Sequence, residues 1–259
     1  MNKRLLLITT VAILAILVAS IGAYLLFVMI GPGVPICRGH TYVFVVFPLF
    51  RYEELNIPYS GLRKLGTNLI VMCPGSSRET VIGIDKKNMI HRVRCVNSTK
   101  LPSTADAYVL VGGPGLTCIL LSYLSSRGLI EMNNETMQLL AACRVIAREF
   151  NINYSRYYSV VSEISREISV LSRENKVIAA ICVAPTLLCI GGAVHGGEIT
   201  MADVRPLVSF VRHECGVTVL STPIVVRGNI ITVRGPEETA LYRLTLMLAI
   251  LCRSKVQKK

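Results

Sequence analysis

The sequence predicts a doubly wound α/β domain, with a mostly parallel sheet and helices on both faces, preceded by one transmembrane helix. Short apolar, β-branched segments alternate with helix-like patterns and no internal repeat, which is typical of a parallel sheet with crossover helices. A buried strand near residues 177–181 runs straight into a helix that begins near Pro185, where a missing N–H costs nothing. Residues 5–30 hold no charged residue, and this run exceeds the ~20 residues needed to cross a bilayer.

Composition narrows the class of protein. The 259 residues suffice for one α/β domain of ordinary size plus an appendage. The net charge is +12, but the Lys and Arg residues are scattered, and only the tail after residue 252 is densely basic. No basic motif is interleaved with aromatic residues and there is no Trp, so we do not expect a nucleic-acid partner.

The apolar segment at residues 5–30 predicts a membrane anchor that contacts lipid. Lys3 and Arg4 precede it and Arg38 is the first basic residue after it, so the N-terminus is expected in the cytoplasm and the domain outside the cell. A cleavable signal peptide is the competing interpretation, because small residues occur at 19–23. The apolar run continues past them, which favours an uncleaved anchor.

The predicted layout divides the chain into five parts. They are a short cytoplasmic end (1–4), the transmembrane anchor (5–30), a linker (31–40), the α/β domain (41–253) and a basic tail (254–259).

The nine cysteines are odd in number. Setting Cys182 aside leaves eight, an even number that permits disulfides in an oxidising compartment without specifying their pairing. No CxxC pair occurs, which disfavours a zinc ribbon, and no partner pair is visible for residues 213–215 (HEC). We therefore predict no metal and no cofactor.

The first half of the domain alternates strands with a helix. The predicted elements are a strand at 42–47, a helix at 53–65, a strand at 69–73, a hairpin or two strand pieces at 81–84 and 89–93, and a buried strand at 106–111. Residues 112–115 (GGPG) follow the last strand. They lack the GxxxxGK[ST] pattern of a phosphate loop, so a plain turn is the better interpretation.

The second half begins with helices and returns to strands. Helical patterns cover 116–124, 135–150 and 157–171, short strands are possible at 198–200 and 217–219, a hairpin joins 223–226 to 230–233, and a helix at 237–252 closes the chain. Arg243 interrupts the last helix, which is too short to span a membrane and should pack on the sheet.

Residues 177–188 (VIAAICVAPTLL) place Cys182 at a bend between strand and helix. Such a bend lies at the carboxyl end of the sheet, where ligands of α/β proteins bind and where backbone N–H groups can stabilise a thiolate or an oxyanion. The alternative is a buried cysteine that acts as a small hydrophobic residue.

Four segments, in this order, resemble the ThiJ/PfpI family over roughly residues 41–253. They are 53–58 (EELNIP), 107–113 (AYVLVGG), 179–185 (AAICVAP) and 231–236 (ITVRGP). The resemblance implies a flavodoxin-like fold of the class I glutamine amidotransferase-like superfamily and self-association into a homo-oligomer. It also implies a cysteine-dependent hydrolase, or a glyoxalase/deglycase-type lyase, acting on small aldehydes or peptides. The alternative is a non-catalytic redox-sensing, chaperone-like or scaffold member.

The resemblance assigns roles to four residues. Cys182 matches the reactive thiol, and Glu54 matches a helix glutamate that would be kept protonated by desolvation and donate a hydrogen bond to the thiolate. Gly113 and Val183 match the two backbone N–H donors that would face an oxyanion.

The family's catalytic histidine is missing from this sequence. Val183 stands directly after the nucleophile and Ala202 stands at the second position where family members carry histidine. His213, expected on a loop, and Asp203 are the possible substitute bases, although such residues are more often simply exposed to solvent.

The segment between Gly113 and Cys182 is longer than one crossover helix requires. We therefore predict a helical insertion at about residues 116–155, which would act as a lid, a surface for self-association or extra helical cover.

Overall fold

The computed structural model describes residues 37–256, with side chains described as far as Cys252. The strands are β1 (Thr41–Val45), β2 (Phe50–Arg51), β3 (Asn68–Met72), β4 (Thr80–Ile84), β5 (Ile90–Arg94), β6 (Ala107–Leu110), β7 (Val177–Ile181), β8 (Glu198–Thr200), β9 (Thr218–Leu220), β10 (Ile224–Arg227) and β11 (Ile230–Val233). The helices are α1 (Tyr52–Lys64), α2 (Pro114–Ser126), α3 (Asn134–Glu149), α4 (Tyr158–Arg173), α5 (Pro185–Ile190), α6 (Arg205–Cys215) and α7 (Glu238–Val256), with a 3₁₀ turn at Tyr154–Tyr157.

Six strands form the main sheet, in the order β10-β11-β7-β6-β1-β3. All neighbours are parallel except β10, which pairs antiparallel with β11. The central strands β6 and β7 are buried along almost their whole length because helices cover both of their faces. The carboxyl ends of β6 and β7 therefore lie side by side, which brings residues 112–113 next to Cys182.

The side chains of the sheet alternate between two cores. Val43 and Val45 of β1 face one core, which α2, α4, α5 and α6 cover, whereas Tyr42 and Phe44 face the other, which α1 and α7 cover. The predicted α/β sheet with helices on both faces is thus confirmed, and it has the mixed α/β, flavodoxin-like form.

The membrane part of the prediction is wrong for the described chain. Across residues 37–256 we find no helix that combines the length and the apolar character needed to cross a bilayer. α7 is the longest helix of the described residues, and it directs Leu241, Leu244 and Leu248 into the core on one face of the sheet. The prediction of a single-pass protein with its domain outside the cell is therefore withdrawn. The anchor assigned to residues 5–30 lies outside the described residues.

Eight of the nine cysteines form four disulfides, and Cys182 is the free one. The bonds join Cys37 to Cys252, Cys73 to Cys95, Cys118 to Cys143 and Cys189 to Cys215. These are the eight residues that remained after Cys182 was set aside in the sequence. The pairing, which the sequence left open, ties α7 to the start of the domain, β3 to β5, α2 to α3 and α5 to α6.

Two short sheets flank the main one. β4 and β5 form the predicted hairpin, and β4 also pairs with β2, while β8 and β9 pair in parallel. The sequence analysis assigned no helix to residues 205–215, where α6 forms. Its buried Leu207, Val208 and Val211 follow the helical period, and Pro206 occupies its first turn.

The predicted insertion, residues 116–155, contains two helices of different character. α2 buries Leu116, Ile119 and Leu120 in the core, whereas α3 buries only Thr136 and Cys143. α3 is therefore a surface helix, held to α2 by the Cys118–Cys143 bond.

Candidate active site around Cys182

Cys182 occupies the sharp turn between β7 and α5. Its backbone φ is +63°, in the left-handed region that residues other than glycine seldom adopt. Its N–H donates to the Val233 carbonyl at 2.8 Å, and its own carbonyl accepts from the Ala202 N–H at 2.9 Å. Both backbone groups are thus fixed by neighbouring segments, which hold this uncommon conformation in place.

Glu54 lies in the first turn of α1 and its side chain is fully buried. Its Oε2 accepts a hydrogen bond from the Gly112 N–H at 2.8 Å. Its Oε1 is buried and has no partner of good hydrogen-bonding geometry among the described residues. Arg51, just before α1, donates its N–H to the Gly112 carbonyl at 3.2 Å, so the start of α1 is attached to the turn that follows β6.

Burial raises the pKa of Glu54 from 4.5 to about 8. The Gly112 N–H, the Arg51 guanidinium and hydrogen bonding with the Cys182 side chain act in the opposite direction, but the loss of water outweighs them. Glu54 is therefore mainly a neutral carboxylic acid at neutral pH. This agrees with the protonated glutamate that the family resemblance implies.

Burial also raises the pKa of the Cys182 thiol, and the Glu54 carboxylate raises it further. The N–H groups of Gly113 and Val183 and the charge of Arg51 lower it. When Glu54 is protonated its charge no longer opposes a thiolate. Near neutral pH the pair is therefore mainly uncharged, with both the thiol and the carboxyl protonated and two backbone donors beside the sulfur.

Gly112 and Gly113 are required because neighbouring atoms lie too close to leave room for a side chain. A Cβ on Gly112 would lie 2.6 Å from the Cys182 Cβ and 3.1 Å from the Glu54 Oε2. Gly113 has a φ of +120°, and a Cβ there would collide with the Arg51 backbone N. The two glycines therefore let the backbone after β6 approach the thiol and the carboxyl closely. Residues 112–113 form the predicted turn, whereas Pro114 and Gly115 already belong to α2.

Arg51 also belongs to the site, although the sequence predicted no role for it. It affects the pKa of both Glu54 and Cys182, and its Nη1 donates to the Asp85 carbonyl at 3.1 Å. Its only sequence signal is its position just before the helix that carries Glu54.

The structure does not bring a histidine to Cys182. His40 pairs with Asp106 at 3.4 Å ahead of β1, at the amino end of the sheet. His91 pairs with Asp85 at 3.0 Å, and its ring stacks on Tyr52 with 3.7 Å between centroids. The exposed His195 accepts hydrogen bonds from Arg227 at its carbonyl, again at the amino end of the sheet.

The two possible substitute bases differ in position. His213 is exposed in the last turn of α6 and not on a loop; eight residues of helix, about 12 Å, separate it from Arg205 at the end of α6 nearer Cys182. The exposed Asp203 follows Ala202, which binds the Cys182 carbonyl. Asp203 is thus the nearer of the two to Cys182. That either residue acts as the base in place of the missing histidine stays a prediction.

Within residues 37–256, no group of three or more His, Cys, Asp or Glu side chains is arranged to hold a metal ion. The chemistry available at the site is that of a thiol, a carboxyl with a raised pKa and backbone N–H groups.

Comparison with known proteins agrees with the family resemblance seen in the sequence. Residues 153–249 match the model of the DJ-1/PfpI family. An uncharacterized protein of Methanocaldococcus jannaschii is 30% identical over 77 residues, which cover 30% of this chain and 37% of that protein's length. The chain thus spans little more than a third of that curated relative.

Solved structures share the fold. A ThiJ/PfpI domain protein from Brachyspira murdochii has a TM-score of 0.54 at 18% identity, covering 85% of this chain and 98% of its own. DJ-1beta of Drosophila melanogaster has a TM-score of 0.52 at 21% identity, covering 85% of this chain and 94% of its own.

Proposed function

We propose, from the premise that this chain is a protein of the DJ-1/PfpI type, that Cys182 is the nucleophile of a reaction with small aldehydes. One observation carries the proposal. Glu54 is buried beside Cys182 with a pKa of about 8, so it exchanges a proton near neutral pH. It thereby offers the proton carrier that the absent histidine would otherwise supply.

The proposed step is addition of the thiol to the carbonyl carbon. In the minor fraction of molecules in which Glu54 is ionised at neutral pH, the Cys182 proton passes to Glu54, the carbon–sulfur bond forms, and the π bond of the aldehyde breaks. The N–H groups of Gly113 and Val183, which face the sulfur, stabilise the oxygen as it becomes negative. Glu54 then returns the proton to that oxygen, which gives a neutral hemithioacetal.

The arrangement supports aldehydes better than peptides. Hydrolysis of a peptide requires a second proton for the departing amine and an activated water, which a histidine ordinarily serves. Addition to an aldehyde expels no leaving group, so one carboxyl suffices.

The test is uptake of methylglyoxal, with cleavage of a peptide as the comparison, by purified protein present in at least stoichiometric amount. We expect the rate of methylglyoxal uptake to fall to background in Cys182→Ser and at least about 100-fold in Glu54→Gln, because one proton carrier contributes on the order of 10² or more. His195→Gln, at the amino end of the sheet, is the control and should leave the rate unchanged. Equal uptake by wild type and Cys182→Ser would refute the proposal.

A redox-sensing role is the second candidate, and a different observation favours it. Cys182 is the single free thiol of the nine cysteines, so an oxidant would find one reactive sulfur, beside two N–H donors able to stabilise a sulfenate. Low peroxide should then give a sulfenic acid at Cys182 that a thiol reverses. If Cys182 in the native protein resists peroxide while methylglyoxal is still consumed, the redox-sensing role is excluded and the aldehyde reaction remains.

A further inference from the structure

A cleft that contains none of the residues of the Cys182 site lies among the helices on one face of the sheet. It has a volume of about 250 Å³ and is formed by one face of α4, by Tyr123 of α2 and by the end of α5 at Gly191. The α4 residues that line it include Ser162, Arg166, Ser169 and Arg173, whose spacing places them on one side of the helix. Its volume is below the range of drug-sized ligand sites, so it fits a smaller ligand.

The floor of this cleft holds an unsatisfied hydroxyl. Ser169 is only 4% exposed, and its Oγ is buried with no hydrogen-bond partner among the described residues. The neighbouring Ser162 differs, because its Oγ lies 2.9 Å from the Tyr123 hydroxyl and contacts the Tyr158 carbonyl at 3.3 Å. A buried hydroxyl without a partner is costly, by about 1–3 kcal/mol. Because Ser169 lines the cleft, a ligand bound there would be the partner that this hydroxyl lacks.

The charge of the cleft indicates the kind of ligand. Arg166 and Arg173 both line it, and in the part of the chain that the structure describes neither has an ion pair or a side-chain hydrogen bond. No acidic residue is among the lining side chains. The two guanidinium groups can only donate hydrogen bonds and the free hydroxyl can donate one more, so together they match an oxyanion with several acceptor oxygens.

We propose that this cleft binds a phosphate group, either as the free ion or as the end of a small phosphomonoester. Arg166 and Arg173 hold the charge from the rim, and Ser169 donates its hydroxyl from the floor. The site is separate from the reaction proposed at Cys182 and does not depend on it.

The test is titration of the full chain with inorganic phosphate and with glycerol 3-phosphate, at constant ionic strength maintained with chloride. We expect the double variant Arg166→Gln/Arg173→Gln to weaken binding at least about tenfold per arginine, and Ser169→Ala to weaken it about fivefold. Arg144→Gln removes the same charge from the exposed face of α3 and is the matched control, which should bind as wild type does.

Thermal unfolding separates a ligand role from a folding role. Without phosphate, Ser169→Ala should be at least as stable as wild type, because it removes an unpaired buried hydroxyl. With phosphate, wild type should gain more stability than this variant. Tighter binding of the free ion or of the ester identifies the source of the phosphate. Binding of neither probe, or equal loss in Arg144→Gln, would overturn the proposal.

Discussion

At the scale of single residues, the site depends on how closely three segments approach each other. Gly112 lies against both the Cys182 side chain and the Glu54 carboxyl, and its N–H donates to that carboxyl. The pair is thus assembled by the backbone, since no other described side chain holds Glu54 in place. Small changes at Gly112 should therefore have large effects on Cys182.

We predict that Gly112→Ala disrupts the site. The added Cβ would lie 2.7 Å from the Ile181 carbonyl oxygen as well as 2.6 Å from the Cys182 Cβ, so the turn must shift. Overpacking of this kind costs about 1–3 kcal/mol. Gly235→Ala is the control, because a Cβ there meets nothing within 4 Å. Urea unfolding and the rate of Cys182 alkylation measure the effect; similar results for both variants would contradict this role of Gly112.

The raised pKa of Glu54 predicts a pH dependence of stability. The folded protein keeps the proton up to about pH 8, whereas the unfolded chain releases it near 4.5. The contribution is thus fully present below the unfolded value and is lost as pH rises towards 8. Because a tenfold difference in proton affinity corresponds to about 1.4 kcal/mol, the loss amounts to several kcal/mol. Urea unfolding across this interval should show a steeper decline for wild type than for Glu54→Gln, and parallel curves would contradict the prediction.

The residues of the site were accessible from sequence to different degrees. The family resemblance pointed to Cys182, Glu54 and the N–H groups of Gly113 and Val183, and the structure places these groups together. Arg51 was not found, because an arginine ahead of a helix carries no distinctive pattern. His213 was expected on a loop, but it lies in α6. The polar residues around His213 obscured the apolar helical pattern of this segment, so the helix was not predicted.

At the scale of elements, the disulfides compensate for surface helices with little core of their own. α3 fully buries only Thr136 and Cys143, with Leu139, Leu140 and Ile146 partly buried against the core, so the bond to Cys118 in α2 adds to a small packing interface. The sequence predicted this helix well, but not its partner, since the pairing of eight cysteines is set by the tertiary fold.

We predict that the double variant Cys118→Ala/Cys143→Ala loses about 3 kcal/mol of unfolding free energy, as expected for a loop of this length. Because the buried leucines of α2 should keep that helix in place without the bond, alkylation of Cys182 should keep its wild-type rate. Denaturant unfolding provides the first measurement and labelling the second. Unchanged stability would show that packing alone holds α3.

At the scale of the whole molecule, Cys182 is a free thiol and the other eight cysteines are paired in four disulfides. We predict that the unfolded, unreduced chain contains one titratable thiol and that reduction exposes nine. Labelling followed by peptide mapping should place the single label on Cys182. A label on any of the other eight would contradict the pairing.

The overall fold was largely predictable because buried parallel strands have a strong apolar signature. The alternation of buried strands with helices, and hence the two cores, follows from that pattern, as β6 and β7 illustrate. The order of the strands within the sheet is set by the tertiary fold and was not predicted. The membrane anchor was assigned to residues 5–30, which lie outside the described residues, and no helix within residues 37–256 has the length and apolar character to cross a bilayer. The leucines of α7 pack against the sheet, as the sequence predicted for this helix.

The protonation of Glu54 beside Cys182 is the central claim, and difference infrared spectroscopy of wild type against Glu54→Gln tests it most directly. At about pH 7 wild type should show the carbonyl stretch of a buried carboxylic acid that the variant lacks, and this band should disappear with a midpoint near pH 8. A midpoint near 4.5, the ordinary value for a glutamate, would contradict the claim.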